Sequence, residues 1–106
     1  MSTARQIGQA GEAVVVSSLR KKGFTVFRWD EDAPGATAIE MQGRKKRLFL
    51  HVKTAVIPDK PAGLTAGEKA RIKMRAAAVK GEAWAARVTL DATLAPAANT
   101  AWRRIA

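Results

Sequence analysis

The sequence predicts an α/β domain in which a mixed β-sheet carries a helix on each face, with the element order α-β-β-β-α-β. Two segments, residues 3–22 and 65–80, have the capping residues and apolar spacing of helices. Three strand-like stretches, 24–29, 36–41 and 48–55, follow one another with only short connections, which favours an antiparallel meander. The second helix is long enough to cross over to a parallel fourth strand.

Each predicted helix begins at a Thr followed three residues later by a Gln or Glu, which is the spacing of a capping box (Thr3 with Gln6, and Thr65 with Glu68). Gly8 and Gly11 lower the helix propensity of the first helix, and this predicts a close approach to another backbone there. The remaining segments are a turn at 30–35, a basic hairpin connection at 42–47, a loop at 58–63, a fourth strand at 83–92, a linker at 94–100 and a short last strand anchored by Trp102.

Composition bounds the function. The 106 residues include 19 Lys and Arg against 9 Asp and Glu, which gives a net charge of +10. Nucleic acid is the favoured partner because basic side chains release condensed counterions from phosphates, although a ribosome or an anionic membrane surface would also attract such a charge. The absence of cysteine excludes disulfides and thiolate zinc sites. With no apolar run near the ~20 residues of a membrane span and no signal-peptide pattern, a single cytoplasmic domain over 1–106 is expected.

The positive charge is concentrated in three clusters, which predicts contact with phosphates. The hairpin cluster is the strongest candidate, because a loop tip can reach a backbone or groove. The tryptophans are expected to pack against the core rather than stack on bases. The clusters are Arg20, Lys21 and Lys22; Arg44, Lys45, Lys46 and Arg47; and Lys69, Arg71, Lys73 and Arg75, with Lys80.

Four side chains could carry chemistry: Glu12 on the first helix, Glu40 on the second strand, and His51 and Lys53 on the third. Nuclease chemistry needs carboxylates that converge on Mg²⁺ and a cation beside them. Each residue also has a simpler interpretation. Glu12 would be an ordinary helix acid, Glu40 a solvated strand residue, His51 a half-buried histidine and Lys53 an edge-strand lysine.

The segments "GEAVVVSSLRKKGFTVFRW", "ATAIEM" and "LFLHVKTA", with the capped second helix and the strand after it, resemble the PD-(D/E)XK nuclease superfamily. Within it, the chain is most similar to the archaeal-type Holliday-junction resolvases. The resemblance implies a restriction-endonuclease-like fold, a DNA partner and a homodimer. It places the helix glutamate of the family at Glu12 and the strand lysine at Lys53. The acid two residues before that lysine is here His51, and the aspartate of the preceding strand is Ala38.

Two interpretations of the site remain open. In the first, the site is dead, because alanine binds no cation and neutral imidazole is a poor ligand for Mg²⁺; no cofactor is then expected. In the second, the site is rebuilt: Glu40 replaces the aspartate, and Glu12, Glu40 and His51 hold Mg²⁺ or, better, Mn²⁺. The sequence thus predicts a DNA-binding, inactive or very weak relative of the resolvases. The alternatives are an active metal-dependent endonuclease and a small basic RNA- or ribosome-associated protein.

Overall fold

The computed structural model describes residues 2–106. Two helices and five strands follow one another along the chain: α1 (Ala4–Lys21), β1 (Thr25–Arg28), β2 (Ile39–Gln42), β3 (Arg47–Val56), α2 (Ala66–Ala78), β4 (Glu82–Leu90) and β5 (Ala101–Arg104). Both predicted capping boxes are present, so each helix begins where the sequence indicates. No helix within residues 2–106 combines the length and apolar character that crossing a membrane requires.

The strands form one mixed sheet in the order β1-β2-β3-β4-β5. The first three make the predicted antiparallel meander, and β3 then pairs in parallel with β4 over Leu48–Val56. The short β5 closes the far edge antiparallel to β4. β3 is thus the central strand of the sheet, but β2 pairs with it only over Arg47–Leu50, and the pairing at Lys53 is with Arg87 of β4.

The two helices cover opposite faces of the sheet, because successive side chains of a strand point to opposite faces. On one face, α1 buries Val15, Val16 and Leu19 against a core that includes Leu50. On the other face, α2 places Ile72 and Ala76 in a smaller cluster with Phe49 and Ala83. The predicted helix on each face is confirmed.

Gly11 marks the closest approach between α1 and the sheet. A Cβ atom on Gly11 would overlap the Thr54 side chain, and one on Gly8 would come within 3.0 Å of the Pro34 ring. The predicted close approach is therefore confirmed, but the neighbours are side chains rather than another backbone. This contact fixes the depth at which α1, and with it Glu12, sits over β3.

The start of β2 and the ends of α2 and β4 differ from the prediction by two or three residues, each for a local reason. β2 begins at Ile39, three residues late, because Gly35 has a positive φ of 81° and the segment after it still belongs to the turn. α2 ends at Ala78 because Lys80 adopts a left-handed φ of 55°. β4 ends at Leu90 because the Asp91 carboxylate accepts backbone N–H bonds from the turn that follows.

Candidate nuclease site and nucleic-acid interface

The two positions at which the resemblance expects acids face each other across β2 and β3. β2 and β3 pair with Ile39 opposite Leu50 and Glu40 opposite Phe49. Continuing this register by one residue places Ala38 opposite His51. Both are buried, with 3% and 7% of their surface exposed. A methyl group and an imidazole thus face each other at the two positions where the resemblance expects carboxylates.

His51 is a neutral side chain at pH 7. Burial lowers its pKa below the ordinary 6.5, and Lys53, Arg71 and Arg75 lower it further, although Glu68 acts in the opposite direction. A neutral imidazole offers a nitrogen lone pair, which suits borderline metals such as Mn²⁺ or Zn²⁺ better than Mg²⁺.

Both carboxylate oxygens of Glu12 accept hydrogen bonds from the segment between β1 and β2. The Trp29 Nε1–H donates to Oε1 at 3.1 Å, and the Gly35 N–H donates to Oε2 at 3.0 Å. Burial raises the pKa of Glu12 above its ordinary value, while the two donors partly offset that rise. Glu12 therefore ties this segment to α1, and each of its carboxylate oxygens has one protein donor.

Lys53 is held by a carboxylate that the sequence did not single out. Its Nζ lies 2.8 Å from Oε2 of Glu68, near the start of α2. The hydrogen bond from Lys53, followed by the backbone N–H of Thr65, lowers the pKa of Glu68 to about 2. Its role was hidden because the capping box already accounts for a Glu at this position. The pairing engages the ammonium that a nuclease would use beside a phosphate.

Glu12 and Lys53 nonetheless line one cavity of about 670 Å³ together with Asp59. Within residues 2–106, no cluster of three or more His, Cys, Asp or Glu side chains has a geometry that could hold a metal ion. Each carboxylate oxygen of Glu12 already accepts one hydrogen bond, the Ala38 side chain has no metal-ligating atom, and His51 offers one neutral nitrogen. The residues present therefore do not fit the hard divalent cation that PD-(D/E)XK chemistry uses.

Glu40 is buried, with 6% of its surface exposed, so its interpretation as a solvated strand residue is wrong. Three guanidinium groups compensate its charge. Arg75 Nη2 donates to Oε2 at 2.9 Å, Arg47 Nη1 lies 3.9 Å from Oε1 and Arg28 Nη1 lies 4.0 Å from Oε2. Glu40 stands opposite Phe49 rather than His51. In this position its carboxylate contacts the three arginines.

The hairpin cluster has a neighbour from each of the other two basic clusters. Arg44, Lys45 and Lys46 are exposed at its tip. At the end of α1, Lys22 lines one cavity with Arg44 and a second cavity with Lys46.

On the opposite face of the sheet, Arg47 and Arg75 converge on Glu40. The Arg47 guanidinium also lies 3.6 Å from the ring centroid of Phe27, whose surface is 58% exposed. The sequence analysis did not single out Phe27 and Arg28, because both lie in the short strand β1, outside the three basic clusters. The other basic residues of α2 are Lys69, Arg71 and Lys73, of which Lys69 is partly buried and the other two are exposed.

Comparison with solved structures decides the fold. The chain is similar to Hjc from Archaeoglobus fulgidus, a Holliday junction resolvase from an archaeal hyperthermophile, with a TM-score of 0.67 over 92% of this chain and 72% of that one. The chain shares the fold of this resolvase. The predicted resemblance in fold and the restriction-endonuclease-like mixed sheet are thereby confirmed. At 21% sequence identity, the resolvase likeness establishes the architecture and carries no activity with it. No protein-family model matches the chain, and no curated protein matches it.

Proposed function

We propose that this protein binds DNA through the phosphate backbone and does not cleave it by the metal-dependent route of the resolvases. The observation that carries the proposal is the arginine cluster, defined as Arg28, Arg47 and Arg75 gathered around the buried Glu40. Three guanidinium groups against one carboxylate leave two net positive charges on a part of the sheet beside α2.

The arginine cluster has the properties of a phosphate-binding surface. The side chains of Arg28, Arg47 and Arg75 are 59%, 23% and 32% exposed, so each has surface left for a ligand. A guanidinium offers several donors in a fixed plane and can bind Glu40 and a phosphate oxygen together. The exposed hairpin tip lies next to Arg47 in the chain and extends the positive surface.

In this proposal, cleavage is absent because the residues at the expected metal site cannot hold the metal. Ala38 and His51 replace the two facing acids, Glu12 is bound by Trp29 and Gly35, and Lys53 is bound by Glu68. Restoring a cation site would require new carboxylates or the release of existing ones. The fold and its binding surface persist without the chemistry, since function resides in the site.

An active metal-dependent endonuclease or junction resolvase is the second candidate. It is favoured by the shared cavity of Glu12 and Lys53. Such an enzyme would use Mg²⁺ or Mn²⁺ with Glu12, Glu40 and His51, and Glu40 would have to leave the arginine cluster. The resemblance to junction resolvases also supports a homodimer on branched DNA, which sedimentation of the free and bound protein would test.

The proposal is tested by fluorescence anisotropy with a four-way junction, a linear duplex, single-stranded DNA and double-stranded RNA over a range of salt concentrations. We expect DNA binding that weakens steeply with salt. Arg44→Gln should lower the slope of log K against log salt by about 1. The matched control is Arg103→Gln, which changes another exposed arginine, on β5 and outside the three clusters.

Three outcomes would contradict the proposal. Failure to bind any DNA at low salt would remove the function, and tighter binding to RNA would favour the RNA-associated alternative. Metal-dependent cutting that both Glu40→Ala and Lys53→Ala abolish would establish the endonuclease instead.

A further inference from the structure

A second cavity lies on the α1 face of the sheet, near the start of β3. It has a volume of about 280 Å³, and its walls include Phe24, Trp84 and Trp102 above leucines of the core. We call it the aromatic pocket. The cavity of Glu12 and Lys53 extends instead along Val52–Val56, toward the other end of β3. The aromatic pocket is therefore separate from the candidate nuclease site.

The walls of the pocket are held in place by polar contacts at its rim. Trp84 Nε1–H donates to Glu82 Oε1 at 3.0 Å, so the indole has its hydrogen-bond partner and its ring remains for stacking. Glu82 Oε2 lies 3.7 Å from Lys46 Nζ and 3.9 Å from Arg104 Nη1. Trp84 and Trp102 pack against the core as the sequence predicts, and both remain only partly buried.

The rim of the pocket is positively charged. Lys22 Nζ lies 5.9 Å from the centroid of the Trp102 ring, and the side chain of Lys46 is 52% exposed. Lys22 ends the first basic cluster and Lys46 belongs to the hairpin, so two of the three clusters border this one cavity. A ligand that fits is thus flat and apolar at one end and anionic at the other.

We propose that the aromatic pocket binds one unpaired base of DNA, with the phosphate of that nucleotide on Lys22 and Lys46. Every base has a π-face that aromatic side chains can stack against, and the phosphate supplies the anion. Glu82 can accept a hydrogen bond from an exocyclic amino group, as carboxylates do from cytosine N4, which favours cytosine over thymine. The inference rests on the proposed DNA binding and adds its structural target: DNA with unpaired nucleotides.

The test compares three duplexes of equal length: one fully paired, one with a single bulged cytosine and one with an abasic bulge at the same place. The abasic duplex is kinked but carries no base. We expect the cytosine bulge to bind about tenfold more tightly than the other two, since stacking of one base is worth that much. The Trp102→Leu variant should lose this preference and keep the affinity for the paired duplex.

Tryptophan fluorescence gives a second readout that needs no variant. The cytosine bulge should quench the protein emission more than the abasic bulge does, because Trp84 and Trp102 line the pocket. Equal affinity and equal quenching for the two bulged duplexes would overturn the inference. If the wild-type protein binds none of the three duplexes, the proposed function itself fails. The two failures are therefore distinguishable.

Discussion

Glu40→Gln tests whether the Glu40 carboxylate holds the arginine cluster in position or only reduces its net positive charge. The substitution keeps the shape of the side chain and removes the negative charge that Arg75 contacts at 2.9 Å and Arg47 and Arg28 at 3.9 and 4.0 Å. The charge-assisted bond to Arg75 contributes about 1.5–3 kcal/mol, and the two longer pairs contribute up to about 1 kcal/mol each. The amide keeps a weaker bond to Arg75 and the exposed arginines regain water, so we expect a loss of about 1–2 kcal/mol in the free energy of unfolding.

The effect on DNA binding has two opposing parts. Removing one negative charge near a bound phosphate favours binding by less than about 1 kcal/mol at a hydrated surface. Releasing two arginines from their fixed positions costs about 0.5–1.5 kcal/mol for each, because they must be ordered again on the DNA. If Glu40 preorganises the arginine cluster, the affinity should therefore fall about fivefold even though the protein becomes more positive.

Anisotropy titration of a labelled duplex measures this effect, and urea unfolding measures the stability. The matched control is Glu31→Gln, which adds the same charge at an exposed position in the turn before β2. Glu31→Gln should leave DNA binding unchanged or slightly tighter. The preorganisation argument would be refuted if Glu40→Gln raised the affinity for DNA above that of the wild type by at least as much as Glu31→Gln does.

Two further predictions concern the packing beneath the surface. Glu68→Gln keeps the capping box but loses the ion pair with Lys53. The pKa of Glu68 is about 2 in the folded protein, against an ordinary value of 4.5. The ion pair therefore stabilises the fold above pH 4.5, and that stability is lost as the pH falls toward 2. Urea unfolding should show a loss of about 1 kcal/mol at pH 7 that disappears near pH 2, and a pH-independent loss would contradict this origin. Gly11→Ala should destabilise by about 3 kcal/mol because its methyl group would meet Thr54. The control Gly67→Ala, in the first turn of α2, should stabilise by about 0.5–1 kcal/mol, so equal effects of the two would contradict the packing account.

The fold was largely predictable because local signals agreed with one another. The capping boxes at Thr3 and Thr65 located both helices, and the alternation in residues 48–55 located the strand that proves central. The short last strand, β5, was indicated only by Trp102. The start of β2 was misplaced because Ala36–Ala38 resembles a weak strand, whereas the positive φ at Gly35 extends the turn.

The site was less predictable, because its contacts join residues far apart in the chain. The sequence identified Glu12 and Lys53 from the resemblance, but nothing local indicates that Trp29 would bind Glu12 or that Glu68 would bind Lys53. The partners of Glu40 lie on three different elements, which no spacing rule connects. Alternation does place Glu40 on the same strand face as Ala38, but only the contacts show which neighbours it serves.

The most direct measurement of the central claim is cleavage of a labelled four-way junction at a protein concentration that binds all of it. The reaction is followed with Mg²⁺, with Mn²⁺ and with a chelator, and the bound fraction is measured in the same samples. We expect a fully bound junction and no strand products above the chelator control with either metal. Metal-dependent nicking by the wild type that is lost in Lys53→Ala, while binding is kept, would contradict it.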